Sequence, residues 1–131
     1  MLPVYDPAEF DGLLTSFGRG PGAGLIFGQD NFMAVHREPI LELANRFRLP
    51  TIVGGLAYSM AGGLLYYGIN DIDHVRQAAT YIDRILRGAK PSDLPIEQMS
   101  KYDFVIDLRV ARVMGINVPQ DLLLRADEVI R

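Results

Sequence analysis

The chain has 131 residues, 49% of them apolar and 22% charged, which is typical of one globular domain with its own core. Its formal charge is −3, and its basic residues are interspersed with acidic ones, so no patch predicts binding to nucleic acid or to an anionic membrane. The lack of cysteine excludes disulfides and thiolate chemistry, no apolar run is long enough to span a bilayer, and the opening residues lack the pattern of an export signal.

The first part of the chain predicts a strand, a helix and a second strand. Residues 2–5 suit a short strand, and DPAE at 6–9 indicates a helix through residue 17, because Asp6 can cap and proline is tolerated at the first helical position. Its core-facing residues at helical spacing are Phe10, Leu13, Leu14 and Phe17. The run GLIFG at 24–28 then suits a strand buried on both faces.

A helix, a short strand and a glycine-bounded strand follow in the middle of the chain. The helix is predicted over residues 33–47, where Pro39 either kinks it or marks a second start. TIV at 51–53 predicts a short buried strand, residues 56–61 could form one helical turn, and residues 63–68 have strand length and composition.

The last part of the chain predicts a long helix, a strand and two shorter helices. Asn70 and Asp71 indicate the start of the long helix, which ends at Gly88. Its inward-facing residues are expected to be Ile72, Val75, Ala79, Ile82 and Leu86. Residues 102–108 suit a strand, Asp107 can cap a short helix that ends at Gly115, and a final helix is expected from Pro119 through Val129. This alternation predicts an α/β fold, with a mainly parallel sheet and helices on both faces.

No constellation of residues predicts catalysis, a metal site or a cofactor. The glycine-rich GRGPGAG leaves a helix and enters a strand, whereas a phosphate-binding loop leaves a strand and enters a helix. His36 and His74 suit solvated helix surfaces, Asp71 and Asp73 suit a first helical turn, and no serine lies in a G-x-S-x-G motif. We therefore expect a protein that is not an enzyme.

Two turns are candidates for ligand binding because of their place in the predicted sheet. Parallel sheets bind ligands outside the carboxyl ends of their strands. The turn QDNF at 29–32 brings a carboxylate, amides and a ring to that edge, and the turn GGLAY at 54–58 brings a second ring. An ordinary loop with an Asx turn explains Asp30 and Asn31 equally well.

Several segments together resemble the C-terminal half of the substrate-binding proteins of ABC transporters, in the group that includes tryptophan- and tyrosine-binding members. They include GRGPGAGLIF, HREPILELANRFRLPTI, AGGLLYYGIND and LLLRADEVI, and the most specific run is YIDRILRGAKPSDLPIEQ. The resemblance implies a part of a two-lobed periplasmic-binding-protein fold, with residues 1–62 in one lobe, 63–118 crossing between lobes and contributing to the other, and 119–131 forming a C-terminal helix.

The same resemblance implies a function and a set of site residues. It implies binding of a small organic molecule, such as an amino acid, in a cleft, and an ABC permease as partner. Asp30, Asn31 and Phe32 match the family's cleft-facing loop, Tyr58 its second cleft turn, and Tyr67 a tyrosine beside the ligand. The family often has an arginine where this chain has Gly54, Gly55 and Leu56, so its ligand preference does not carry over.

The resemblance also leads to expectations about assembly and location. It covers only the later half of the family's chain, so apolar surface between residues 63 and 118 is expected to need a cover, and a homo-oligomer supplies one. A structural module that oligomerises without binding a ligand is the alternative function. Full-length relatives are periplasmic, whereas this chain as a complete reading frame would be cytoplasmic.

Overall fold

A five-stranded sheet organises the molecule. The computed structural model describes residues 6–18, 22–28, 30–55, 60–98 and 100–131. The strands are β1 (Leu25–Phe27), β2 (Thr51–Val53), β3 (Leu65–Ile69), β4 (Tyr102–Asp107) and β5 (Glu128–Ile130), and they pair in that order. Only the β3–β4 pair is antiparallel, which confirms the mainly parallel α/β sheet.

Six α-helices connect and flank the described strands. They are α1 (Pro7–Phe17), α2 (Asn31–Val35), α3 (Arg37–Arg46), α4 (Asp71–Leu86), α5 (Leu108–Met114) and α6 (Gln120–Arg125), and a 3₁₀ turn spans Pro91–Asp93. The helix predicted over 33–47 is divided at His36. Pro39 lies in the first turn of α3, where its missing N–H has no intrahelical partner to lose, so the prediction of a second start is confirmed.

The first face of the sheet carries the main core. Val53, Tyr66 and Val105 are paired neighbours on this face and pack with Leu41 of α3 and with side chains of α2. A second cluster joins α1 to α3 through Leu14, Ala44 and Leu49. Because side chains alternate along a strand, the inward positions of β2 and β3 fix which residues point the other way.

The second face of the sheet is less covered. Its residues include Ile26, Ile52, Leu65, Tyr67, Tyr102 and Phe104. Leu65 packs beside Ala111 and Met114 of α5, but Ile26 is 81% exposed. The prediction that the first strand is buried on both faces is therefore wrong, since apolar composition does not distinguish a covered face from an open one.

Two side-chain caps confirm the predicted helix starts. The Asn70 side chain accepts a hydrogen bond from the N–H of Asp73 at 2.9 Å, and α4 begins at the next residue. Asp107 accepts a hydrogen bond from the N–H of Arg109 at 2.8 Å and caps the start of α5. The helix is capped at its other end by Gly115, whose φ is 70°. Glycine adopts this left-handed conformation without the penalty of a Cβ atom.

Two other helix predictions are wrong. The apolar residues expected to face inward on α4 are exposed, and this helix contributes no buried residue to the described core. The final helix ends at Arg125 instead of continuing through Val129, and EVI at 128–130 forms a strand parallel to β4. The strand predicted over 2–5 lies outside the described residues, as does most of the helical turn predicted at 56–61.

Candidate functional site

The carboxyl ends of β1, β2 and β3 form one edge of the sheet. Phe27, Val53 and Tyr66 lie side by side in the strand register, so the segments that follow them emerge together. β4 runs in the opposite direction, and its first residue, Tyr102, pairs with Ile69 at the end of β3. We refer to this side of the sheet as the carboxyl edge.

The loop after β1 brings Asp30, Asn31 and Phe32 to the carboxyl edge. Asp30 Oδ1 accepts a hydrogen bond from the N–H of Met33 at 2.7 Å, so Asp30 caps α2 as an Asx turn would. The ring of Phe32 is half-buried, with its centroid 5.9 Å from that of Phe10 and 4.8 Å from that of His36. Asp30 and Phe32 thus have structural roles, while the side chain of Asn31 is exposed.

Tyr67 lies in an aromatic group on the second face. Its ring stacks on that of Tyr102, with centroids 5.6 Å apart and planes 12° apart, and meets Phe104 edge-on at 6.3 Å. Tyr67 is 57% exposed and Tyr102 46% exposed. Exposed stacked rings of this kind present a flat apolar surface to a ligand or to another protein.

The structure separates the predicted site residues into two groups. Asp30, Asn31 and Phe32 lead into α2, which packs on the first face through Met33 and Ala34. Tyr67 points from the second face, because it follows Tyr66, which is buried in the first. Tyr58 lies outside the described residues. The shared feature of the two groups is the carboxyl edge, and no common pocket formed by the described residues joins them.

Polar residues that the sequence reasoning missed also lie at this edge. The Asn70 side chain donates to Asp103 Oδ2 at 2.6 Å, linking the end of β3 to the start of β4. Tyr102, Asp103 and Phe104 belong to a predicted strand, and only the antiparallel β3–β4 pairing brings them to this edge. Their alternation of ring, carboxylate and ring was the available signal.

The carboxyl edge has more acidic than basic side chains near Tyr67. Asp71, Asp73 and Asp103 lie at or beside the end of β3, and the ammonium of Lys101 is 3.0 Å from Asp73 Oδ2. The hydrogen bond from Lys101 holds the pKa of Asp73 below its ordinary value, and the same bond raises the pKa of Lys101. Burial raises the pKa of Tyr66, with further contributions from Asp71 and Asp103. Arg76 Nη1 also lies 3.1 Å from Asp73 Oδ1, so three carboxylates face two cations and a net negative charge remains at this edge.

The clearest buried charge lies at the opposite edge of the sheet. Asp107 is only 2% exposed, and its carboxylate accepts hydrogen bonds from Arg109 side-chain nitrogens at 2.7 and 3.1 Å. Burial alone would raise the pKa of Asp107, but the bonds from Arg109 and from the N–H groups of Arg109 and Val110 hold it below its ordinary value. A concavity of about 190 Å³ beside this pair is lined by Asn45, Met60 and Val113, among others.

Within the ranges given above, no three histidine or acidic side chains come together as metal ligands would. None of the helices that the structure describes has both the length and the apolar character needed to cross a bilayer.

A family comparison decides the relationship. The sequence profile of the ABC transporter substrate binding proteins matches residues 18–130. The chain belongs to this family. Comparison with curated protein sequences gave no match.

Solved structures of substrate-binding proteins and related chains share the fold. The "ABC domain in complex with L-Trp" from Streptococcus pneumonia is 25% identical, with a TM-score of 0.82, over 97% of this chain and 44% of that one. A conserved domain protein from Vibrio cholerae is 24% identical, with a TM-score of 0.79, over 93% of this chain and 41% of that one. A ligand-free, open substrate-binding protein with adhesive properties from Clostridium difficile is 19% identical, with a TM-score of 0.69, over 97% and 42%.

These alignments confirm the periplasmic-binding-protein-like fold and show its extent. The chain spans less than half the length of each solved structure named above.

Proposed function

We propose that the chain is a solute-binding domain of ABC import, which holds a small organic molecule such as an amino acid at the carboxyl edge. The observation that carries this proposal is the exposed stack of Tyr67 on Tyr102 beside several carboxylates. Family membership supports solute binding as the class of function. The rings and carboxylates of the carboxyl edge support the kind of solute. Asp30, Asn31, Phe32, Tyr58 and Tyr67 form the proposed ligand-binding set.

An amino acid suits this edge because it combines a cation with an apolar part. Its ammonium group would lie near the carboxylates at the end of β3, where negative charge exceeds positive charge. An aromatic or aliphatic side chain would pack on the rings of Tyr67 and Tyr102. The streptococcal relative with bound L-Trp supports this ligand class, and tryptophan is therefore the first compound to test.

Binding by this chain alone is expected to be weak. Two-lobed receptors hold a ligand between lobes, and closure buries most of its surface. The chain corresponds to less than half of such a structure, and the Tyr67 stack is open to solvent. We expect dissociation constants near the millimolar range, corresponding to about 4 kcal/mol of binding free energy.

Titration by NMR or calorimetry with L-tryptophan, L-tyrosine and L-leucine tests the proposal. We expect saturable binding that Tyr67→Ala abolishes and that Leu124→Ala leaves unchanged, since Leu124 is a 75% exposed apolar residue on α6. The folded state of each variant is checked by circular dichroism. The proposal would be contradicted if the folded native chain bound none of these three compounds and no member of a wider amino acid panel.

The biological setting follows from the same proposal. A substrate-binding protein delivers its solute to an ABC permease, so a permease is the proposed partner, and the role is binding rather than catalysis.

Members of the family are periplasmic or extracellular. We propose a periplasmic location for this domain for that reason, and fractionation of cells that express the gene in its native context tests the proposal.

A homo-oligomer is a second proposal, carried by the exposed apolar residues of α4. Four of its aliphatic side chains, Ile72, Val75, Ile82 and Leu86, are between 58 and 80% exposed. A second copy that covers them would reduce the apolar surface in contact with water. If oligomerisation persists while no amino acid binds, the alternative of a non-binding structural module is favoured.

A further inference from the structure

Charged side chains are unevenly distributed among the segments that leave the carboxyl edge. Residues 28–35, which follow β1, contain one charged side chain, the carboxylate of Asp30. Residues 54–70, which include the loop after β2 and all of β3, contain none. The next two charges along the chain are again carboxylates, those of Asp71 and Asp73 in the first turn of α4. The first charged side chain after each of the three parallel strands is therefore a carboxylate.

Two cations at this edge are already paired. Lys101 Nζ and Arg76 Nη1 both contact the carboxylate of Asp73, at 3.0 and 3.1 Å. Asp71 is exposed, and in the part of the chain that the structure describes no cation lies at ion-pair distance from it. Carboxylates are bound most strongly by a guanidinium or ammonium group that can donate hydrogen bonds to them. A ligand carboxylate placed here would have to displace Asp73 from its two partners.

Other basic side chains lie away from this edge or beside acidic ones. Four of them precede β2 or follow β4, toward the opposite edge of the sheet, and they are Arg46, Arg48, Arg109 and Arg112. Arg37, at the start of α3, lies 3.9 Å from Glu38. Arg125 precedes β5, but two acidic residues follow it, so residues 125–128 carry a net charge of −1. Within the described ranges, the charge at the carboxyl edge therefore stays negative.

Side chains of the protein itself already occupy the helix N-termini at this edge. The free N–H groups of a helix N-terminus favour an anion. In α2 the Asp30 carboxylate accepts from the N–H of Met33 at 2.7 Å, and in α4 the Asn70 oxygen accepts from the N–H of Asp73 at 2.9 Å. Asp71 and Asp73 add their own charges to the first turn of α4. A ligand carboxylate would compete with these groups, whereas an ammonium group would complement them.

We propose that the carboxyl edge selects organic cations that lack a carboxylate, so that it binds an aromatic amine in preference to the amino acid with the same ring. This inference rests on the proposed function and concerns the same site. The ligand ring would pack on the exposed stack of Tyr67 and Tyr102. Tyr102 pairs with Ile69, two residues before Asp71, so the rings and this carboxylate are neighbours along the edge. An ammonium group is attracted both to aromatic faces and to carboxylates, whereas a carboxylate is repelled by other carboxylates.

Ligands that share one indole ring separate the effects of the two charges. Tryptamine and indole-3-propionate carry an ammonium and a carboxylate, respectively, on the same two-carbon chain, and L-tryptophan carries both groups. In NMR titrations at pH 7, tryptamine should bind about tenfold more tightly than L-tryptophan, and indole-3-propionate most weakly, because each carboxylate adds like-charge repulsion. The preference should shrink at high salt. L-tryptophan that binds as tightly as tryptamine overturns this inference and leaves the proposed function standing. A folded chain that binds none of these ligands and no amino acid overturns both.

Neutralising one carboxylate tests whether this edge is the source of the preference. Asp71→Asn should weaken tryptamine binding by about threefold and strengthen indole-3-propionate binding, because it removes one exposed negative charge beside the rings. The matched control is Asp83→Asn, a second exposed carboxylate of α4 that lies about 18 Å further along the helix, beyond the range of screened charges. It should leave both affinities unchanged, and circular dichroism checks that each variant is folded. If Asp71→Asn leaves the ratio of the two affinities at its native value, the assignment of the preference to the carboxyl edge is overturned.

Discussion

The ring of Tyr66 lies over Gly68, two residues further along β3, and the Tyr66 hydroxyl donates a hydrogen bond to the Ile69 carbonyl at 2.9 Å. A Cβ atom on Gly68 would be 2.8 Å from Cε2 of that ring and would overlap the Gly54 carbonyl oxygen. The glycine before the end of β3 therefore permits close approach of β2 to β3 at the carboxyl edge.

Replacement of Gly68 by alanine should destabilise the fold. The backbone oxygen of Gly54 cannot move aside as a flexible side chain would, so overpacking should lower the free energy of unfolding by about 1–3 kcal/mol. Gly12→Ala is the control, since nothing lies within 4 Å of its added Cβ in α1. Alanine at that helical position should raise stability by up to about 1 kcal/mol. Urea unfolding of both variants measures the two opposite changes.

The elements were predictable where local chemistry determines them. Asn70 and Asp107 act through hydrogen bonds to N–H groups two or three residues away, so a sequence window contains both partners. The apolar side of α4 was equally visible as a periodic pattern. The sequence did not show that this side is exposed in the structure. Periodicity identifies an apolar side of a helix, and it does not show whether the same chain supplies the surface that covers it.

The site was only partly predictable for a related reason. The loop after β1 follows from the rule for parallel strands, and Asp30 does lie at the carboxyl edge. Tyr102 reaches this edge only because β4 is antiparallel, a pairing that joins residues more than thirty positions apart. The strand β5 was not predicted for the same reason, since two helices, α5 and α6, separate it in the chain from its partner β4. Contacts of this range leave no periodic trace in the sequence.

The buried hydroxyl of Thr51 provides a second test of the fold. Thr51 is fully buried, and its Oγ1 accepts a hydrogen bond from the N–H of Leu64 at 2.9 Å. Thr51→Val keeps the shape but leaves that N–H without its acceptor, which should lower stability by about 1–3 kcal/mol. Thr51→Ser keeps the acceptor and loses one methyl group, so its expected loss is about 1 kcal/mol. A valine variant as stable as the native chain would show that the bond contributes nothing.

Asp107 should make stability depend on pH in the acid range. Its pKa is lower in the folded chain than its ordinary value of 3.8, so the unfolded chain binds the proton more tightly. The stabilisation is therefore present above about pH 4 and is lost as the pH falls through the folded pKa. Asp107→Asn should lower stability at pH 7 and flatten this part of the pH profile. Asp83→Asn, at an exposed carboxylate, is the control and should preserve the native slope.

Asn70 joins two interactions that a single substitution can separate. Its oxygen caps α4 at Asp73, while its amide nitrogen donates to Asp103 Oδ2. Asn70→Ala removes both, and the loss of the cap alone should cost about 1 kcal/mol. Asn70→Asp keeps a good capping oxygen but replaces the donor with a second carboxylate facing Asp103.

We therefore expect Asn70→Asp to be no more stable than Asn70→Ala at pH 7, although aspartate is as good a capping residue as asparagine. Unfolding curves of the two variants and the native chain at neutral pH measure the difference. An aspartate variant as stable as the native chain at neutral pH would show that Asp103 does not face residue 70 in solution.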